Sequence, residues 1–123
     1  MRLNQVTVGT TDFQASLDFY RTLGLTLIVH SPPRYARFET PSGETFSIEQ
    51  AEEVSGATMV YFEVEDVDAA VAKLELPLVE GPVDRAWLWR EAVLLDPSGN
   101  RICLYHAGEN RRFPPWRVGG GAG

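Results

Sequence analysis

Two carboxylates, Glu49 in TFSIEQ and Glu63 in MVYFEV, stand near the ends of segments whose side chains alternate in polarity. Alternation is the strand period, so Glu49 shares a face with Ser47, and Glu63 shares one with Met59 and Tyr61. A carboxylate held in a partly apolar cleft has a raised pKa and serves as a general base, whereas one at a strand end in water does neither. Cys103, the only cysteine, is a nucleophile only with a base beside it. His106 falls on the face opposite Tyr105 and His30 lies at a proline break, so an inert small hydrophobe is the simpler reading of Cys103. Trp87 and Trp89 are spaced i, i+2, which on one strand puts both on one face. With Tyr61 and Tyr105 they would form an aromatic wall suited to a flat or cationic ligand, and packing against a second copy accounts for them equally well. Arg90 and Glu91 read as a solvated pair.

These residues need a scaffold, and the sequence supplies it twice. LNQVTVG alternates as a half-buried strand, with Val6 and Val8 on one face and Gln5 and Thr7 on the other. Thr11 and Gln14 have capping-box spacing. Phe13, Leu17, Tyr20 and Leu23 then recur at helical intervals, and Gly24 is placed to stop the helix. LTLIVHS, RYARFE and ETFSIEQ follow as strands, separated by Pro32-Pro33 and by Pro41-Ser42-Gly43. After the polar connector AEEVSGA the order restarts: TMVYFEV as a strand, then a helix opened by Glu65-Asp66, carrying Val67, Ala70, Val71 and Leu74 and ended by Pro77. LVEG, WLWREAVLL and NRICLYH follow as strands, with Pro97-Ser98-Gly99 turning between the last two. Asp12 maps to Asp66 and Gly43 to Gly99. The pattern predicts an α+β chain of two tandem βαβββ modules, residues 3–50 and 58–106, in one domain spanning 1–106. Val6, Val8, Phe46, Ile48, Val60, Phe62, Ile102 and Leu104 are expected under the helices. Residues 107–123 form a C-terminal extension in which Pro114-Pro115 predicts an extended segment, Phe113 and Trp116 are anchors, and GGGAG is a flexible end.

Composition narrows the function. A chain of 123 residues can bury a core without staples. The lone cysteine excludes an internal disulfide and a cysteine-based zinc site. No run of about 18 apolar residues occurs, and the N-terminal residues lack the charged-then-apolar shape of a secretory signal, so a cytoplasmic protein with no membrane partner is expected. The net charge is −6. Arg111, Arg112 and Arg117 against Glu109 give residues 107–123 a local +2 and leave −8 for the body. That disfavours nucleic acid and suits a neutral or cationic small molecule.

TTDFQASLDFYRTLGL, FEVEDVDAAVAKL and LLDPSGNRICL resemble the signatures of the glyoxalase I, bleomycin-resistance and extradiol-dioxygenase superfamily, the vicinal oxygen chelate fold. The resemblance spans about residues 3–106. It implies modules whose sheets curl into an open sheet around a cleft, often in a homodimer, and in the metalloenzymes a divalent ion held from the first and last strands of each module. Those positions fall on Gln5, Ser47, Met59 and Cys103. The metalloenzymes favour His, Gln or Glu at the first and third and Glu at the second and fourth, so only Gln5 is of an acceptable type. Glu49 and Glu63 would have to replace the missing donors from roughly 6 to 7 Å along their strands. The expectation is a small-molecule binder with no cofactor and no usual metal site, its ligand held by Gln5, Ser47, Glu49, Met59, Tyr61, Trp87, Trp89, Cys103 and Tyr105. The alternative is a lyase, isomerase or dioxygenase using displaced metal ligands or a carboxylate base, Glu49 or Glu63.

Overall fold

Each repeat folds as strand, helix and three strands in a computed structural model that describes residues 1–119. The elements are β1 (Gln5–Thr10), α1 (Phe13–Leu23), β2 (Thr26–Ser31), β3 (Tyr35–Glu39) and β4 (Thr45–Gln50), then β5 (Met59–Glu63), α2 (Val67–Leu74), β6 (Glu80–Asp84), β7 (Arg90–Leu95) and β8 (Arg101–His106). The strands form two four-stranded sheets with the same order, β1-β4-β3-β2 and β5-β8-β7-β6. A 3-10 turn, Gly108–Arg111, follows β8. The part of GGGAG beyond Gly119 lies outside the described residues. The fold is thus α+β and made of two similar modules.

Matching residues do matching work in the two repeats. Asp12 and Asp66 are the helix N-caps, accepting from the amides of Ala15 at 3.1 Å and Ala69 at 3.0 Å. Gly43 and Gly99 hold φ of 93° and 91° in the two hairpin turns, where a side chain would be strained. The N-cap is Asp12 and not the expected Thr11, because a carboxylate is the better acceptor for amides at the positive end of a helix. Gln14 accordingly turns forward to Asp18, at 3.0 Å, instead of back to a cap.

Contacts divide the chain into two compact units. The first contains residues 1–58 and the β7–β8 turn, 95–101; the second contains 59–94 and the chain from Ile102. In the first unit β1 runs parallel to β4, which pairs antiparallel with β3. Its core is Val8, Phe13, Leu17, Tyr20, Ala36, Phe38, Phe46 and Ile48. Tyr20 packs its ring on Phe46 at 4.6 Å and sends its hydroxyl to Asp96 Oδ2 at 2.5 Å. Asp96 is buried yet fully engaged: its other oxygen accepts from the Ser98 and Asn100 amides, and Asn100 Nδ2 bonds both Asp96 Oδ2 and the Gly9 carbonyl. Val6, expected in the core, is 36% exposed.

In the second unit β7 and β8 are the most buried strands, covered on both faces. Ala92, Leu94, Ile102 and Leu104 are buried on one face, and Val93, Cys103 and Tyr105 on the other. Val60 and Phe62 are only partly covered. Helix α2 ends at Leu74, three residues before Pro77, because Glu75 turns left-handed at φ 54°.

Three other expectations are corrected here. The sixth strand is EGPVD and not LVEG; its proline is tolerated because β6 is an edge strand with a register shift between Glu80 and Val83. The seventh begins at Arg90, so Trp87 and Trp89 belong to a hairpin loop closed by Arg85 N donating to Trp89 O at 2.7 Å, with Leu88 left-handed at φ 69°. Pro114-Pro115 does not extend the chain: Arg117 N donates to Pro114 O at 3.0 Å in a turn, and Phe113 and Trp116 stay more than half exposed.

Candidate functional site

One face of the first sheet is polar, and register explains why. Thr7 of β1 lies opposite Ser47 of β4, which lies opposite Arg37 of β3; Glu49 lies opposite Tyr35. Ser47 is completely buried among these side chains. Gln5 donates from Nε2 to Ser47 Oγ at 2.6 Å, while its Oε1 accepts from the Thr45 hydroxyl. Tyr35 shares a 2.7 Å hydrogen bond with Ser47, and Arg37 Nε donates to the Tyr35 oxygen at 2.9 Å. Partial burial pushes the Tyr35 phenol up, but the hydrogen bonds with Ser47 and Arg37 and the guanidinium charge outweigh it and hold it below the ordinary tyrosine value. Arg34, Tyr35, Glu49 and Gln50 line an open depression of about 390 Å³.

The second sheet presents aromatic rings instead. Trp89 stacks on Tyr105 with centroids 4.6 Å apart, and Tyr61 meets both edge-on, at 5.9 and 5.7 Å. Met59 and Trp89 pack against the cluster of Val93, Cys103, Tyr105 and Ala107. Burial raises the Tyr105 hydroxyl, and the Glu63 charge adds to it. Tyr61 is 49% exposed, so the trio keeps an open side. Trp87 is not part of it. Its ring lies under the Arg85 guanidinium, and its Nε1 donates to Glu91 Oε2 at 2.8 Å.

Glu91 is the functional-looking residue that sequence reasoning misjudged. It is buried, not solvated, and accepts from Arg85 Nε at 3.2 Å as well as from Trp87. Its expected partner Arg90 instead grips Asp68 of α2 with two nitrogens, at 2.7 and 2.9 Å, and reaches Asp84 at 3.0 Å. Glu91 also acts on Cys103. Burial, then the charge and hydrogen bond of Glu91, push the buried thiol up to about 12, which leaves it protonated and a poor nucleophile. Glu63 Oε2 accepts from the backbone amides of Ala107 at 2.9 Å and Gly108 at 3.1 Å, tying down the start of the C-terminal extension. Trp89 Nε1 bonds the Asn110 carbonyl at 3.4 Å farther along. His106 is engaged with the Val64 carbonyl at 2.9 Å, and His30 stacks on Phe13. Glu49 is exposed.

A sequence model of the Glyoxalase/Bleomycin resistance protein/Dioxygenase superfamily matches residues 2–104. The chain belongs to that superfamily. A solved glyoxalase/bleomycin resistance protein/dioxygenase from Nocardioides is 26% identical, with TM-score 0.77 over 97% of this chain and 90% of its own. A glyoxalase/bleomycin resistance protein from Catenulispora acidiphila is also 26% identical, with TM-score 0.71 over 85% and 98% of the two chains. A bleomycin-binding protein solved with bleomycin has TM-score 0.70 over 86% of this chain and 98% of its own; at 13% identity it shares the fold. An uncharacterized protein of Mycolicibacterium smegmatis is 29% identical over 84% of this chain and 91% of its own.

The superfamily's four metal positions can be tested one by one on donor chemistry. In the first module the Gln5 oxygen is taken by Thr45, and Ser47 is a neutral, fully buried hydroxyl bonded on two sides. In the second, Met59 is a thioether in an apolar cluster and Cys103 a protonated thiol. None offers the anionic or free oxygen that a hard divalent cation prefers, so this donor set does not fit the metal. Among the described residues, no three His, Cys, Asp or Glu side chains gather where they could hold a metal ion. Among the described residues, no helix is long and apolar enough to cross a membrane.

Proposed function

We propose that this protein is a small-molecule binder of the superfamily that works without the divalent ion of its metalloenzymes, in the manner of a sequestering protein. The observation that carries the reading is the open aromatic trio in which Trp89, from the β6–β7 loop, packs on Tyr61 and Tyr105 of the strand face that also holds the unsuitable donors Met59 and Cys103. Rings in that arrangement bind a flat or cationic group by stacking and by cation–π attraction, and the net charge of −6 favours a cation further. The bleomycin-binding neighbour supports a small-molecule ligand. Binding on this scale proceeds in chelator and raises the melting temperature, since a ligand at about 100 times its Kd adds about 2.7 kcal/mol. A thermal-shift screen of planar aromatic amines in excess EDTA is therefore expected to give hits that Tyr61→Ala abolishes; a screen in which none moves the transition contradicts the reading. A homodimer in the cytoplasm belongs to the same proposal, and sedimentation at micromolar concentration tests the dimer.

A rival reading, an isomerase with Glu49 as base, draws support from Glu49 lying opposite Tyr35 in register and lining the same depression. In that case a substrate whose turnover survives EDTA is expected to lose it in Glu49→Gln with the fold intact, and full retention removes Glu49 from the mechanism.

A further inference from the structure

On the polar face of the first sheet, Tyr35 and Ser47 bring two hydroxyl hydrogens to the one bond between them. Ser47 Oγ already accepts from Gln5 Nε2, and that nitrogen also faces the Val6 carbonyl at 3.4 Å, a group that only accepts. Tyr35 Oη already accepts from Arg37 Nε. If Tyr35 donated to Ser47, the serine hydrogen would be left over inside a completely buried site, which is the costlier arrangement. Ser47 therefore donates to Tyr35, the Tyr35 oxygen accepts twice, and its own hydrogen is left for the depression lined by Arg34, Glu49 and Gln50. We infer that Tyr35 is a ligand-binding residue of this module, its hydroxyl donating a strong hydrogen bond to an anionic or strongly polarised oxygen, such as that of a phenolate, enolate or carbonyl. The two donors behind it, Arg37 and Ser47, polarise the O–H outward and steady any negative charge that reaches the phenol. Glu49, across the register, disfavours a second negative charge and suits a ligand carrying an N–H or O–H beside its oxygen. This site uses none of the second module's aromatic residues and stands or falls independently of them.

The charged groups facing Tyr35 are Arg37 on its own strand and Glu49 on β4, with Arg34 beside it. The probe is 4-nitrophenolate, titrated at mildly alkaline pH and followed by its absorbance. Binding is expected in the native protein, weakened at least about tenfold in Tyr35→Phe, unchanged in Lys73→Gln on the exposed side of α2, and tightened in Glu49→Gln. No binding by the native protein, or equal binding by Tyr35→Phe, overturns the inference. Should Tyr35→Phe not fold, the native protein still decides. Followed by its own ring resonances in NMR, Tyr35 is expected to form tyrosinate at higher pH in Arg37→Gln, and a Tyr35 transition indifferent to Arg37 overturns the assignment.

Discussion

Asp96 accepts four hydrogen bonds while buried, from Tyr20 Oη, the Ser98 and Asn100 amides and Asn100 Nδ2. Replacing it by alanine strands all four donors, whereas Tyr20→Phe removes only one. Tyr20→Phe is therefore expected to cost about 1 to 3 kcal/mol and Asp96→Ala more, both read from urea midpoints; equal losses would mean that the carboxylate is not the hub. Cys103 gives a prediction with the opposite chemistry. Its folded pKa, about 12, lies above the ordinary value of 9.0, so the folded state holds the proton longer. Its contribution to stability is complete below pH 9 and is lost as pH rises toward 12. The native protein should lose stability more steeply than Cys103→Ala across that window, and its thiol should react with a chromogenic disulfide only on unfolding. Parallel curves, or rapid reaction of the folded protein, would contradict this. The burial of Cys103 agrees with its reading as a small hydrophobe, which rested on the lack of a neighbouring histidine. Glu91 was not legible, because its partners Arg85 and Trp87 come from a loop folding back on the strand, an arrangement that no periodicity announces.

The helices and hairpins of the two repeats are held by equivalent residues, which makes them separable experimentally. Asp12→Ala and Asp66→Ala should each cost about 1 kcal/mol, and their sum in the double variant, because each cap serves its own helix. Gly81→Ala should cost far more than either: φ is 87°, and a Cβ there would strike the Glu91 carbonyl and the Ala92 backbone. A thermal transition for Gly81→Ala within a degree of the native one would refute that packing. Element order and both Asp caps were readable because caps, glycine stops and alternation agree locally. The β6–β7 hairpin was misread for a physical reason. RAWLW turns with a leucine in the left-handed region, carrying no Gly or Asn to mark it, so the tryptophans looked like strand residues. That one slip put Trp87 into an aromatic wall that Trp89 joins without it.

The motifs that made the superfamily recognisable are the residues that hold the scaffold together. Asp12, Tyr20, Gly24, Asp96 and Asn100 cap, stop and cross-link elements. The side chains proposed here to meet a ligand, Tyr35, Arg37, Ser47, Tyr61, Trp89 and Tyr105, lie outside those cross-links, and no scaffold rule singles them out in one sequence. Fold was therefore legible where activity was not. The C-terminal residues beyond the superfamily match add a piece of their own. Glu63 and Trp89 fasten residues 107 to 110, so the extension borders the aromatic trio within its module. The central claim is that the superfamily scaffold operates here without its divalent ion, and metal content tests it most directly. Protein purified without chelator, then incubated with Ni, Zn, Fe(II), Mn or Mg and desalted, is measured by elemental mass spectrometry. The account predicts that no ion is retained in a defined ratio; near-stoichiometric retention of one ion, lost in Gln5→Ala, would contradict it.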